Sequence, residues 1–156
     1  MDNAVAKPKV QYKVLPRAEL RRIEPLWEKL NDHHLKNSTH FSDYYGLFSF
    51  KQRMEKFQDP QLKMRIEVAI IDSKTIGYSL SSITKRAEAV LDSIFIERPY
   101  RRLGIGTNLA KRAFAWMDEE GALSKSLSVV YGNEEVLPFY RKFNFYPIRT
   151  ELNQKR

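Results

Sequence analysis

An apolar run, Val90-Leu91-Asp92-Ser93-Ile94-Phe95-Ile96, leads into Arg101-Arg102-Leu103-Gly104-Ile105-Gly106-Thr107, and a helical pattern then runs from Asn108 to Met117. A strand that feeds a glycine-bearing turn and then a helix is a backbone device for holding phosphate. The first amides of a helix have no acceptor within it, and the dipole places partial positive charge at that end. Two arginines stand there, where the dipole disfavours cations. Asp118, Glu119 and Glu120 close the helix at the end that disfavours anions. An empty surface helix gains nothing from that layout, whereas one that grips a pyrophosphate does. Gly104 and Gly106 lack a Cβ, so a ligand can approach the main chain and unusual φ values are allowed. The spacing is neither that of the nucleotide P-loop nor that of the dinucleotide fingerprint. A tight strand-to-helix turn with no ligand is the competing reading.

A second segment favours the ligand. Leu127-Ser128-Val129-Val130-Tyr131 reads as a strand, followed by Gly132-Asn133 and a helical stretch containing Pro138, Phe139, Tyr140, Phe143, Asn144 and Phe145. The two segments together resemble the GCN5-related N-acetyltransferase (GNAT) superfamily. Arg101, Gly104 and Gly106 match its coenzyme A signature, Arg/Gln-x-x-Gly-x-Gly/Ala. Asn133, Phe139, Tyr140 and Phe145 match its second signature, which departs only at Asn144, where the family has glycine. Asparagine is the next best residue for a left-handed helix end, so the geometry survives. The match is tight from Val90 to Pro147; the earlier half agrees only in the order of its elements.

The 156 residues fit one domain, 1–156, long enough to bury a sizeable core. Absence of cysteine excludes disulfides, cysteine nucleophiles and thiolate metal sites. Met1 to Val10 carries no apolar signal core, and no apolar run reaches the ~20 residues that span a bilayer. A soluble, cytoplasmic chain is expected. The net charge of +8 attracts anions, coenzyme A among them. The basic residues are dispersed and no nucleic-acid motif occurs, so no nucleic-acid partner is expected.

Val10 to Leu15 reads as a strand ended by Pro16. Arg17 to Leu35 has helical spacing, with Pro25 forcing a kink or a late start. Tyr44 to Phe57 reads as a second helical stretch. Period two then gives strands over Lys63 to Ile71, Ile76 to Thr84 and Ala89 to Ile96, with turns at Asp72 to Thr75 and Lys85 to Glu88. The helix after the phosphate turn is expected to bury Ile105, Leu109, Ala113 and Trp116. With a further strand–helix–strand unit, the order predicts an α/β (α+β) fold, a mixed and mostly antiparallel sheet with helices on both faces. The resemblance adds a splay between the two central strands into which the cofactor's pantetheine arm enters.

The resemblance implies direct transfer of the acetyl group of acetyl-CoA to a primary amine, with no metal. Arg101, Arg102, Leu103, Gly104, Ile105, Gly106 and Thr107 then hold the pyrophosphate. Ile94, Phe95 and Ile96 contact the pantetheine arm through main chain and offer a donor to the thioester oxygen. Asn133 contacts that arm; a helix N-cap is its alternative role. Tyr140 matches the family tyrosine that serves as general acid beside the sulfur, with a core aromatic as the alternative. Some members that acetylate protein N-termini carry a glutamate five positions before the motif asparagine, where this chain has Ser128. Asp92 and Glu97 are the carboxylates left as bases, Glu97 being readable as a solvated loop acid; a water chain is the third route. Strand alternation puts Asp92 on one face with Ile94 and Ile96, and Ser93 on the other with Phe95. The acceptor is expected over the first two helices, where Tyr44 and Tyr45 line a pocket or pack in the core. His33, His34 and His40 lack metal-ligand spacing. A non-catalytic acyl-CoA-binding regulatory module is the competing function, and a homodimer is left open.

Overall fold

In a computed structural model, which describes residues 6–155, a two-residue turn organises the sheet. Asp72 and Ser73 both adopt left-handed backbone, φ 48° and 65°. That type I′ geometry matches the twist of a hairpin, and it joins β2 (Lys63–Ile71) to β3 (Lys74–Ile83) with Ile71 opposite Lys74. β1 (Gln11–Leu15) pairs with β2, and β4 (Glu88–Ile96) with β3, both antiparallel. β5 (Ser124–Ser126) lies parallel to β4 and closes the order β1-β2-β3-β4-β5. The helix that links β4 to β5, α4 (Ile105–Glu119), makes the crossover a parallel pair needs. Residues 1–5 and 156 lie outside the description, and with them half of the N-terminal stretch read above and Arg156.

Helices cover both faces, as expected. A 3₁₀ turn at Arg17–Ile23 runs into α1 (Glu24–Asn37), and Pro25 falls in the first turn, where its missing N–H costs no bond. This layer packs Ile23, Leu26, Phe50 and Phe57 against Ile66, Val68, Tyr78 and Leu80. On the other face α4 packs Leu109, Ala110, Ala113 and Met117 toward the sheet. Met117 is fully buried and Trp116 only half-buried, a correction to the expected stripe: the i, i+4 row through Leu109 and Ala113 continues to Met117.

Three further expectations change. Tyr44 to Phe57 is not one helix but three short pieces, α2 (Ser42–Gly46), α3 (Phe50–Arg53) and a 3₁₀ turn at Glu55–Gln58. Gly46 closes the first, and Ser49 with Gln52 restarts the chain through a reciprocal capping box. Leu127 to Tyr131 is not a paired strand; the ladder to β4 holds only Glu88, Ala89 and Val90 opposite Ser124, Lys125 and Ser126. No strand follows α5 (Leu137–Arg141) among the described residues, where Pro147 lacks a ladder donor and the tail beyond it is polar. Past Val90, therefore, the edge of β4 facing β5 has no ladder partner among the described residues, at the place where the resemblance implied a splay.

Candidate active site

β4 is interrupted by a bulge. Leu80 pairs with Ser93 and Ser81 with Leu91, so Asp92 is the extra residue. An inserted residue re-aims the side chains around it and resets strand alternation. Ser93 keeps to the α1 face, its Oγ 2.6 Å from the Tyr78 hydroxyl inside the core. Ile94 packs on the α4 side and Phe95 on the α1 side. Asp92 does not share a face with Ile94 and Ile96 as alternation predicted. Its Oδ2 accepts from the Ser82 hydroxyl at 2.6 Å and its Oδ1 from Lys56 Nζ, which comes from the 3₁₀ turn under α1. Only 8% of the Asp92 side chain is exposed. Burial raises its pKa, and the bonds from Lys56 and Ser82 pull against that rise.

Glu97, just past β4, is not a solvated loop acid. It is buried and paired with Lys29 and Lys74, the latter at 3.0 Å, and the Lys29 ammonium leads the causes that lower its pKa.

The phosphate turn begins there. After a 3₁₀ turn at Arg98–Tyr100, Arg102 (φ 66°) and Gly104 (φ 77°) both enter left-handed backbone, and α4 starts at Ile105 with no side-chain cap on Gly104. Asn108 N–H donates to the Gly104 carbonyl at 3.0 Å, so the amides of Ile105, Gly106 and Thr107 precede the first helical bond. Arg101, Arg102, Leu103 and Gly104 are exposed. Arg101 Nε donates to the Ile96 carbonyl at 2.9 Å, and its guanidinium lies 5.4 Å over the Phe95 ring. A Cβ on Gly106 would meet Ile96 at 3.8 Å and Phe139 at 3.9 Å, ordinary van der Waals contact where the start of α4 passes between the end of β4 and α5. Amides with no acceptor at the start of a helix suit the diphosphate of a coenzyme A.

Asn133 opens the 3₁₀ turn before α5 with φ −115° and makes no side-chain cap bond. Its Oδ1 instead lies 3.4 Å from His33 Nε2 on α1. Pro138 sits in the first turn of α5, and Asn144 takes φ 64°, the left-handed role of the family glycine. Tyr140 is partly buried beside Phe139 (ring centroids 5.1 Å apart), packed against the cluster that contains Leu91. Burial pushes its phenol up to about 12. Asp92 thus lies on the α1 face of the sheet, bonded to β3, and Tyr140 packs with the cluster on the α4 face.

Tyr44 and Tyr45 meet edge to face at 5.4 Å. Tyr44 is exposed and stacks with Phe48 under the Arg53 guanidinium. Tyr45 lies 5.7 Å from His34, whose burial lowers its pKa to about 4 and whose Nδ1 has no partner. Among the described residues no group of three or more histidine, cysteine, aspartate or glutamate side chains could hold a metal, and no helix is long and apolar enough to cross a membrane. Lys56, Ser82 and His33 are the neighbours that sequence reasoning missed. No local pattern marks them, because each meets its partner across at least ten residues of chain.

Residues 24–145 match the family model described as the acetyltransferase (GNAT) family. N-alpha-acetyltransferase 50 of Danio rerio is 39% identical over 56 residues, which cover 35% of this chain and 33% of that protein. The chain therefore spans about a third of the length of the curated relative it matches. Among solved structures, an aminoglycoside N-acetyltransferase, AAC(6')-Iy, in complex with CoA superposes with a TM-score of 0.68 over 98% of this chain and 99% of its own, at 17% identity. A ribosomal-protein-alanine N-acetyltransferase from Brucella melitensis gives 0.64 over 95% and 99%, at 15% identity.

Proposed function

The chain belongs to the acetyltransferase (GNAT) family, and we propose that it is an N-acetyltransferase that moves the acetyl group of acetyl-CoA directly onto a primary amine, of a small molecule or a protein, within a ternary complex. The observation that carries this reading is the phosphate turn set at the end of a strand whose outer edge is unpaired beyond Val90. When bound, acetyl-CoA supplies an activated acetyl thioester. The amides of Arg102 to Thr107 hold its diphosphate, with Arg101 beside them. The main chain of Ile94, Phe95 and Ile96 lines the arm, and Asn133 contacts it from the opposite loop.

The chemistry then falls to few groups. A main-chain donor on β4 polarises the carbonyl in a site where its alignment is set before reaction. Asp92, buried and held at the bulge, takes the proton from the amine, directly or through water. Tyr140 donates to the departing sulfur. Its phenol, near 12, lies roughly three to four pH units above an ordinary thiol, so complete proton transfer is uphill by about 5 kcal/mol. Tyr140 therefore acts first as a hydrogen-bond donor that stabilises the developing thiolate, and the proton follows late.

One observation favours a second reading, a regulatory module that holds acyl-CoA without turnover: Asp92 and Glu97, the two carboxylates considered as bases, are already engaged by lysines. A panel of primary amines incubated with acetyl-CoA, read by released thiol, separates the two. Gly104→Asp places a carboxylate in the cradle. Unchanged coenzyme A affinity in that variant, measured by calorimetry, would falsify the assignment of the turn.

A further inference from the structure

The carboxylate proposed as base already holds a primary amine. Lys56 Nζ bonds Asp92 Oδ1, while Ser82 fixes the other oxygen. The neighbouring Phe57 is buried in the core, which anchors the 3₁₀ turn that carries Lys56, and the ammonium lies 4.9 Å over that ring. About half of the lysine side chain is exposed, so its stem runs from solvent into the site. Ile94, whose main chain is expected to line the arm, is two residues along from Asp92.

Among the described residues no other ion-paired lysine combines these features. Lys63 and Lys125 bond Glu120 and Asp118 at the C-terminal end of α4. Lys29 and Lys74 share Glu97, whose lowered pKa makes it a poor proton acceptor, and its hydrogen bond raises the pKa of Lys74. Asp92 is shifted the other way by burial.

From this geometry we infer that Lys56 is itself an acetyl acceptor, modified in cis by acetyl-CoA bound to the same chain. This rests on the transferase reading above. The Lys56 ammonium gives one proton to Asp92, and its nitrogen lone pair forms a bond to the thioester carbonyl carbon as the carbon–sulfur bond breaks. The thiolate leaves and is protonated as coenzyme A thiol, and the second nitrogen proton passes to solvent. The balance is one ammonium and one acetyl thioester to one acetamide, one thiol and one proton.

The full chain is incubated with acetyl-CoA and no added amine, and its peptides are mapped over time by mass spectrometry. Lys56 is expected to be modified at least about tenfold faster than Lys85 in its exposed turn, because the reacting groups are held together. The rate constant should not change on dilution of the protein. Asp92→Asn should slow the Lys56 adduct by about a hundredfold. Lys56→Arg, which keeps a cation on Asp92, should lose the adduct at that peptide while melting like the parent. If Lys56 stays unmodified, keeps pace with Lys85 or reacts in proportion to protein concentration, while an added amine is acetylated, this inference alone is overturned. A protein that binds acetyl-CoA and acetylates neither itself nor any amine overturns the transferase reading as well.

Discussion

His33 Nε2 stands 3.4 Å from Asn133 Oδ1, across one hundred residues of chain. One turn further along α1, the Asn37 carbonyl lies where a Cβ on Gly132 would be, 2.6 Å away, and Gly132 has φ 97°. α1 is therefore seated on the loop that carries the proposed cofactor asparagine. Asn133→Ala should raise the KM for acetyl-CoA about fivefold, the value of one hydrogen bond of about 1 kcal/mol. His33→Ala should have a smaller effect, and the double variant should be non-additive because the two side chains touch. Additive changes in a double-mutant cycle on KM would show that the contact does not bear on the cofactor.

Gly106 separates stability from binding. It lies inside α4 without positive φ, and an added Cβ meets nothing closer than 3.8 Å. Gly106→Ala should therefore raise unfolding free energy by about 0.4–1 kcal/mol in urea titrations, as glycine-to-alanine changes do at compatible sites. The same methyl stands beside the amides proposed to hold the diphosphate, so coenzyme A affinity should fall. A variant that gains stability and binds coenzyme A as tightly as the parent would move the cofactor away from the start of α4.

His34 sets an acid limit on stability. Its folded pKa of about 4 lies below the ordinary 6.5, first through burial and then through the nearby His33. A base with a depressed folded pKa contributes stability that is complete above 6.5 and is lost as pH falls through 4, because the unfolded chain binds the proton first. The ring is partly exposed, so the loss discounted for solvent screening is about 2 kcal/mol. Glu97 and Glu134 have pKa values lowered by the Lys29 ammonium and the Gly132 amide, and they act below the ordinary glutamate value of 4.5. His34→Leu should flatten urea-derived stability between pH 6.5 and 4.5; an unchanged slope there would assign it elsewhere.

The contrast between Asn144 and Asp92 shows how far the chain could be read in advance. Asn144 is a local matter: one residue must turn left-handed to end a helix, and asparagine tolerates that conformation, as its φ of 64° bears out. The phosphate turn and β2 are equally local, set by glycine placement and by period two. The direction of Asp92 is not, because an inserted residue resets alternation and only the partner strand reveals the insertion. The same holds for Glu97, whose lysines come from α1 and β3, and for Lys56, which reaches Asp92 over 36 residues. Tyr44 to Phe57 misled for the opposite reason: its aromatic spacing suggested one helix, and the Ser49–Gln52 box restarted the chain inside it.

Tyr140→Phe tests the proposed proton donor and leaves the packing intact. The phenyl ring fills the same space against Phe139 and the Leu91 cluster, so coenzyme A affinity should stay within a factor of about two, while kcat falls about a hundredfold. A phenol raised by burial to about 12 contributes stability that is complete below about pH 10, the unfolded value, and is lost as pH climbs through 12. The Phe variant should keep more of its stability across that window in alkaline urea titrations. Because the phenol remains protonated throughout the neutral range, the alkaline limb of kcat below pH 10 should not move. A parent limb in that range that disappears in Tyr140→Phe would mean that the bound cofactor lowers this phenol far enough for full proton transfer.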